Sequence, residues 1–267
     1  MYEYYFLFAL ALIWAGFAAV QDSRTREIAN WITFSLIAFV LAYRAFYSIY
    51  TNDISFFLYG LGGVLLFTAM GYLFYYLGVF AGGDAKLLFG IGGIIPYISL
   101  RDYIFYGLGF MMLLFAIGVL YTLIYSLFYV KKNFVSFKKS FAKEFRLGRI
   151  WIYVSAAAFA ALLFIDNVLI AYSWTVLFLP VLYFYARAVE KSCMIKMTSP
   201  DKLTEGDWLV DDVRVGRKII KKTVHGLTYE EILLLRRAGK KVLIKSGVPF
   251  APAFLISLII ATVYFLR

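Results

Sequence analysis

The stretch Ala81-Gly82-Gly83-Asp84-Ala85-Lys86-Leu87-Leu88 separates an apolar run over 54–78 from another that continues to residue 99. Its two glycines break any helix arriving from the first run, and a carboxylate follows at once. A charge at the boundary of an apolar span is costly and calls for a reason. A second such carboxylate, Asp22, ends the first apolar run of the chain, beside Ser23, Arg24 and Arg26. Two carboxylates, each at the end of a hydrophobic run, suggest one shared site. A pair of aspartates is the minimum equipment for general acid/base hydrolysis of a peptide bond. The plainer alternative is two unrelated interfacial carboxylates, and spacing alone does not separate the two.

Working outward, composition sets the class. The chain has 267 residues, 63% hydrophobic and 20% aromatic, with a mean hydropathy of +0.79. Soluble domains sit near about 45–50% apolar, so the excess implies lipid outside the fold. The net charge of +11 lies mainly in connecting segments, with Arg44 inside the second apolar stretch, which is the pattern of a membrane protein and not of a nucleic-acid binder. Cys193 is the only cysteine, so a disulfide framework and a cysteine zinc module are excluded. His225 is the only histidine, which argues against a histidine metal site or a Ser-His-Asp triad. Neither a metal nor another cofactor is expected. The first apolar run contains Glu3 and has no basic residue ahead of it, so it reads as a retained span and not as a cleaved signal peptide.

Apolar stretches fall at 4–21, 30–50, 54–78, 84–99, 102–130, 150–165, 167–188 and 248–266. Each is near the length needed to cross ~30 Å of hydrocarbon, with 84–99 and 150–165 short. Only Asp166-Asn167, a turn-forming pair, divides the sixth from the seventh; if it is merely a kink, the count falls to seven. The fold class expected is mainly α, a polytopic membrane helical bundle of about eight spans with a small α+β cytoplasmic domain. Its domains are 1–189, helical and carrying both aspartates, 190–246, small and cytoplasmic, and 247–267, a C-terminal transmembrane helix. Under eight spans, Arg24, Arg26, Lys86, the cationic cluster over 131–149 and the basic 187–246 connection share one side. The positive-inside rule makes that side cytoplasmic and puts both termini outside, so Asp22 and Asp84 lie together at the cytoplasmic boundary.

Within 190–246, residues 204–210 read as a turn then a strand, and 213–224 as one or two strands bent at Gly216. Thr228-Tyr229-Glu230-Glu231 reads as a capping box opening a short helix, Gly239 as its C-cap, and 241–245 as a strand. The Lys/Phe/Arg-rich 131–149 segment suits either an amphipathic surface helix on anionic lipid or a solvated loop. Asp53, Asp102 and Asp166 fall in expected outer turns. Asp207, Asp211 and Asp212 read as solvated strand ends, or as an acidic patch facing a cationic peptide.

The segment Gln21-Asp22-Ser23-Arg24-Thr25-Arg26-Glu27-Ile28-Ala29-Asn30-Trp31 and the segment Gly82-Gly83-Asp84-Ala85-Lys86-Leu87 together resemble the type IV prepilin peptidases, most closely the archaeal preflagellin/prepilin peptidases. These are GxGD-type intramembrane aspartic proteases. Val248-Pro249-Phe250-Ala251-Pro252 is similar to that family's Ile-Pro-Phe-Gly-Pro stretch. The resemblance implies Asp22 and Asp84 as the catalytic pair, with no cofactor. It implies a multi-pass protease of the cell membrane that removes a short basic leader from pilin- or flagellin-like precursors at the cytoplasmic face. Its partners are those leader peptides and the lipid bilayer. Gly82 and Gly83 would let a substrate backbone approach, and Lys86 would hold substrate or else snorkel. Helix-end electrostatics suggest Asp84 as base and Asp22 as acid, the pair sharing one proton. Ala81 stands where the family has its first glycine. The bacterial members' cysteine region is missing, so their methyltransferase activity is not implied. Two other readings use the same residues: a proton-coupled transporter, and a family member that is not catalytic.

Overall fold

The computed structural model describes residues 2–162, 167–216, 218–223, 226–245 and 247–266. The helices are α1 Tyr2–Thr25, α2 Asn30–Thr51, α3 Ile54–Tyr76, α4 Gly82–Gly92, α5 Leu100–Asp102, α6 Leu108–Lys132, α7 Phe134–Leu162, α8 Asn167–Val189, α9 Tyr229–Arg237 and α10 Ala251–Phe265. Short strands lie between α8 and α10: β1 Ile195–Thr198, β2 Trp208–Leu209, β3 Val213–Val215, β4 Lys218–Ile220 and β5 Val242–Lys245. The chain divides into two compact units, Met1–Ile124 with Val248–Arg267, and Tyr125–Gly247.

Among the described residues, four stretches are long and apolar enough to cross a membrane: Glu3–Thr25, Asn30–Thr51, Ile54–Tyr76 and Leu100–Lys132. The shorter α10 is apolar as well. The mainly helical class holds, and the expected count of about eight spans is not confirmed. The turn expected at Asp166-Asn167 depends on Asp166, which lies outside the described residues.

In the first unit, α1 turns Leu7, Ala11, Ala15 and Ala18 inward, all fully buried. That i, i+4, i+8, i+11 stripe of small side chains lets α10 close on it with Ala251, Phe254, Leu258 and Ala261. On the other flank α3 receives α4 at unusually short range. A Cβ at Gly63 would run into the Gly92 carbonyl, and one at Gly71 would lie 2.9 Å from the Ala85 carbonyl.

The expected span over 84–99 is helical only as far as Gly92. Eleven residues give about 16 Å of helix, half of what a crossing needs. Beyond it the buried chain through Ile94, Ile95 and Tyr97 is irregular. Irregular backbone inside an apolar layer persists only if its carbonyls are satisfied from within the protein. Arg44 on α2 does this. Its fully buried guanidinium donates from Nε to the Gly93 carbonyl (2.6 Å), from Nη1 to Phe56 (2.6 Å) and from Nη2 to Ile95 (3.1 Å). The Phe56 ring lies under the cation at 4.5 Å.

In the second unit, the 131–149 segment is not a loop. After Asn133 it enters α7, which runs unbroken through the apolar residues to Leu162. Lys, Ala, Glu and Arg favour helix, and Gly148 interrupts nothing because it makes room for the Phe184 ring of α8. The sheet order is β1-β5-β2, antiparallel, with Thr198 opposite Val242 and Leu209 opposite Ile244. β3 and β4 form a hairpin that turns at Gly216, φ +59°. The Thr228/Glu231 capping box opens α9, and Gly239 follows it at φ +59°. Leu203, Leu209, Ile220, Leu227, Leu235 and Val242 share one small core. Asp207 and Asp212 accept backbone amides, Thr204 at 2.9 Å and Lys222 at 2.7 Å, so both brace turns.

Candidate active site

Both aspartates are buried, Asp22 with 6% and Asp84 with 8% of its surface exposed. Asp22 lies in the last turn of α1, and Asp84 in the first turn of α4. Two contacts bring these helix ends to the same end of the unit. Ile28, in the α1–α2 connection, packs where a Cβ on Gly83 would sit, 3.0 Å away. Lys86 donates to the Asn30 side chain at the start of α2 (2.7 Å). The two carboxyls are close enough for the Asp22 charge to act on Asp84. Both helix ends thus lie at one end of the unit.

The segment between them is shaped by local chemistry. Arg26 takes a left-handed conformation, φ +63°, and reverses the chain after α1. The Gln21 side chain then accepts the Ala29 amide (3.1 Å) and fixes the entry to α2. Ala81 is the N-cap of α4 at φ −70°, ψ 161°. That is extended backbone open to any residue, so this position does not require the glycine of the family pattern.

A partner that sequence reasoning missed completes the surroundings of Asp22. The Ala251 amide, the first of α10, donates to Asp22 Oδ2 at 2.9 Å across 229 residues of sequence. The neighbouring Phe250 amide faces the same carboxyl. The Val248-Pro249-Phe250-Ala251-Pro252 stretch stands out in the sequence, but its role is carried by backbone groups, which no side-chain pattern reveals. Asp22 thus lies between the C-terminus of one helix and the N-terminus of another. The two dipoles act on it in opposite senses, so helix-end electrostatics no longer single it out as the acid.

The three expected substrate contacts separate. Gly82 has open space around it, with only Tyr75 in contact range at 3.7 Å. Gly83 is closed off by Ile28 from its own chain. Lys86 is half-buried, bound to Asn30, and lies over the Phe34 ring at 5.8 Å. Cys193, in the other unit, is buried and unpaired with any other cysteine; His225 lies outside the described residues. Among the described residues no three His, Cys, Asp or Glu side chains cluster as metal ligands would.

Residues 9–130 match the sequence profile of the type IV leader peptidase family. The stretch includes both aspartates and stops before α7. Three curated relatives are preflagellin peptidases. The one from Methanococcus maripaludis is 33% identical over 37% of this chain and 41% of its own length. The one from Methanocaldococcus jannaschii is 32% identical over 30% and 33%, and that from Methanococcus voltae 28% over 56% and 68%. The chain thus spans 41% and 33% of the length of the first two. No solved structure matches it.

Proposed function

We propose that this protein, whose residues 9–130 match the type IV leader peptidase family, is a membrane aspartic endopeptidase that removes the leader of preflagellin- or prepilin-like precursors. The observation that carries the reading is the pair of buried carboxylates, from α1 and α4, gathered at one end of an apolar helical unit. Like charges this near cannot both ionise cheaply, so one proton is shared between them. The charged member takes a proton from water, which attacks the scissile carbonyl carbon. The protonated member gives its proton to the carbonyl oxygen; as the tetrahedral intermediate collapses, the first member passes water's proton to the departing amine and the second takes back a proton from a gem-diol hydroxyl. The Ala251 amide fixes the direction of the Asp22 carboxyl, so that its free oxygen faces the reaction. Gly82, with space around it, is where an extended substrate backbone approaches. Lys86 donates to a peptide carbonyl while Asn30 holds it in place.

The site faces the cytoplasm in this reading, on the side where the basic connections gather. The precursor's basic leader reaches it there, just ahead of the precursor's own apolar helix. The test is cleavage of a leader-bearing precursor in detergent by the wild type, Asp22→Asn and Asp84→Asn. Each variant is expected to fold and to lose cleavage. Turnover above about a tenth of wild type would remove that aspartate from the chemistry. A proton relay using the same carboxylates would lose flux on these substitutions and never show proteolysis.

A further inference from the structure

Glycine inside a helix is unfavourable relative to alanine unless something needs the space. Almost every helical glycine of the first unit has such a neighbour. Gly60 admits Arg44, Gly63 meets Gly92, Gly90 meets Leu36 and Gly118 meets Phe250. Within the described helices, only Gly16 and Gly109 would place a Cβ with nothing within 4 Å. Both lie in surface grooves beside α10. Gly16 lines a groove of about 740 Å³ with Ile13, Phe17, Val20, Pro252 and Leu255. Gly109 lines one of about 320 Å³ with Phe105, Tyr106, Ile260 and Tyr264.

The two grooves differ in where they lead. The Gly16 groove runs along α1 from Leu12 to Ser23 and Arg24, about 16 Å. It ends at the residues next to Asp22 and at Pro252, adjacent to the amide that holds Asp22. The Gly109 groove begins about 8 Å farther along α10, by helix rise from Leu255 to Ile260. We propose that the Gly16 groove docks the apolar helix of the precursor itself, side by side with α1, and delivers the chain ahead of that helix to the aspartates. This rests on the leader-peptidase reading. In lipid, helices associate through small residues that admit a partner's backbone closely, and a bare glycine on an otherwise apolar wall supplies that. The polar end of the groove, at Ser23 and Arg24, suits the point where the docked helix leaves the hydrocarbon.

The experiment uses the full chain in detergent and two synthetic substrates. One carries a Lys/Arg-rich leader, the scissile boundary and an apolar helix of about 18 residues. The other stops before the helix. Gly16→Leu fills the groove and is expected to raise KM for the helix-bearing substrate at least about tenfold, as overpacking of a contact does. The truncated peptide stays within about twofold, and Gly109→Leu changes neither. A photoreactive residue in place of Phe17, in an otherwise unaltered chain and again with Asp84→Asn, is expected to crosslink the apolar helix without turnover. The proposal is overturned if Gly16→Leu handles both substrates as wild type does, or if the probe at 17 captures lipid or detergent alone. Crosslinking at 17 in a protein that cleaves neither substrate would keep the groove and discard the peptidase. Cleavage with no crosslink would do the reverse.

Discussion

At the scale of single residues, the site is a contact between a side chain and a backbone amide. Asp22 and Asp84 are legible in the sequence because a carboxylate seldom ends an apolar run without a functional reason. Ala251 is not, since a main-chain donor 229 residues away leaves no periodic trace in sequence. Ala251→Pro deletes that donor at the first position of α10, where proline is otherwise tolerated. It also presses on Phe250, whose φ −104°, ψ −18° a following proline disfavours, so a modest fall in Tm is expected. Losing a hydrogen bond to a charged group is worth about 1.5–3 kcal/mol, and kcat should drop at least about tenfold. The pH–rate profile should shift with it and KM should not. A lower Tm with an unmoved pH profile would reduce the amide to a helix cap. The glycines make a second residue-scale case. Gly83 has Ile28 at 3.0 Å from a would-be Cβ, whereas Gly82 has Tyr75 at 3.7 Å. Gly82→Ala should therefore fold normally, and Gly83→Val should lose about 1–3 kcal/mol. Ile28→Ala should restore part of that loss in thermal unfolding. Failure of the rescue would return Gly83 to direct substrate contact.

At the scale of elements, the instructive difference is α4, expected as a full span and found to be a half-length helix with a buried irregular tail. Two signals lie in the sequence: Pro96, which ends helices upstream of itself, and Arg44, a lone cation inside an apolar run. Each gains meaning only when the other is placed beside it, because Arg44 is explained by carbonyls at Gly93 and Ile95 and by nothing within its own helix. Arg44→Met should remove one donor from each of three carbonyls, of which Ile95 keeps the Tyr97 amide (3.0 Å), and should lower Tm in detergent by more than a loss of about 1–3 kcal/mol of stability would. Arg44→Lys should rescue little, since an ammonium lacks the planar fork that reaches all three. A stable Arg44→Met protein would show that water satisfies this turn. The 131–149 segment differs in the opposite sense: its charge is compatible with a loop, but its residue types favour helix and helix is what forms. Charge density locates solvent or headgroups; it does not stop a helix. The capping box at Thr228 and the strand at 242–245 match their sequence reading because their signals are local.

At the scale of the whole molecule, the unit Tyr125–Gly247 begins within α6 and ends ahead of α10, and α10 then returns to hold Asp22. The family match, residues 9–130, ends near where that insertion begins. The proposed chemistry therefore rests on the first unit alone, whose last helix, α10, follows the second in sequence. Orientation is a separate test: on a background of Cys193→Ser, cysteines at positions 24 and 140 should resist labelling from outside intact cells, because the proposed site faces the cytoplasm. Labelling at 24 would leave the aspartates on the wrong side for a cytoplasmic leader. The small sheet can be removed without opening the chain, because Thr198 at the end of β1 lies opposite Val242 at the start of β5. Excising 199–241 and joining those residues through an Asn-Gly turn preserves the β1–β5 pair and the path to α10. The variant forfeits most of the core around Leu203, Leu209, Ile220, Leu227 and Leu235, so it will be less soluble and is best compared in detergent at equal folded fraction. Asp22, Asp84 and the Ala251 amide all lie outside the excised residues. Cleavage of a minimal leader peptide should stay within about threefold of wild type, and long precursors should suffer more, since the role we propose for this segment is to select substrates. Complete loss of minimal-peptide cleavage, with Asp22 and Asp84 intact and the helices folded by circular dichroism, would show that the excised segment carries catalysis after all.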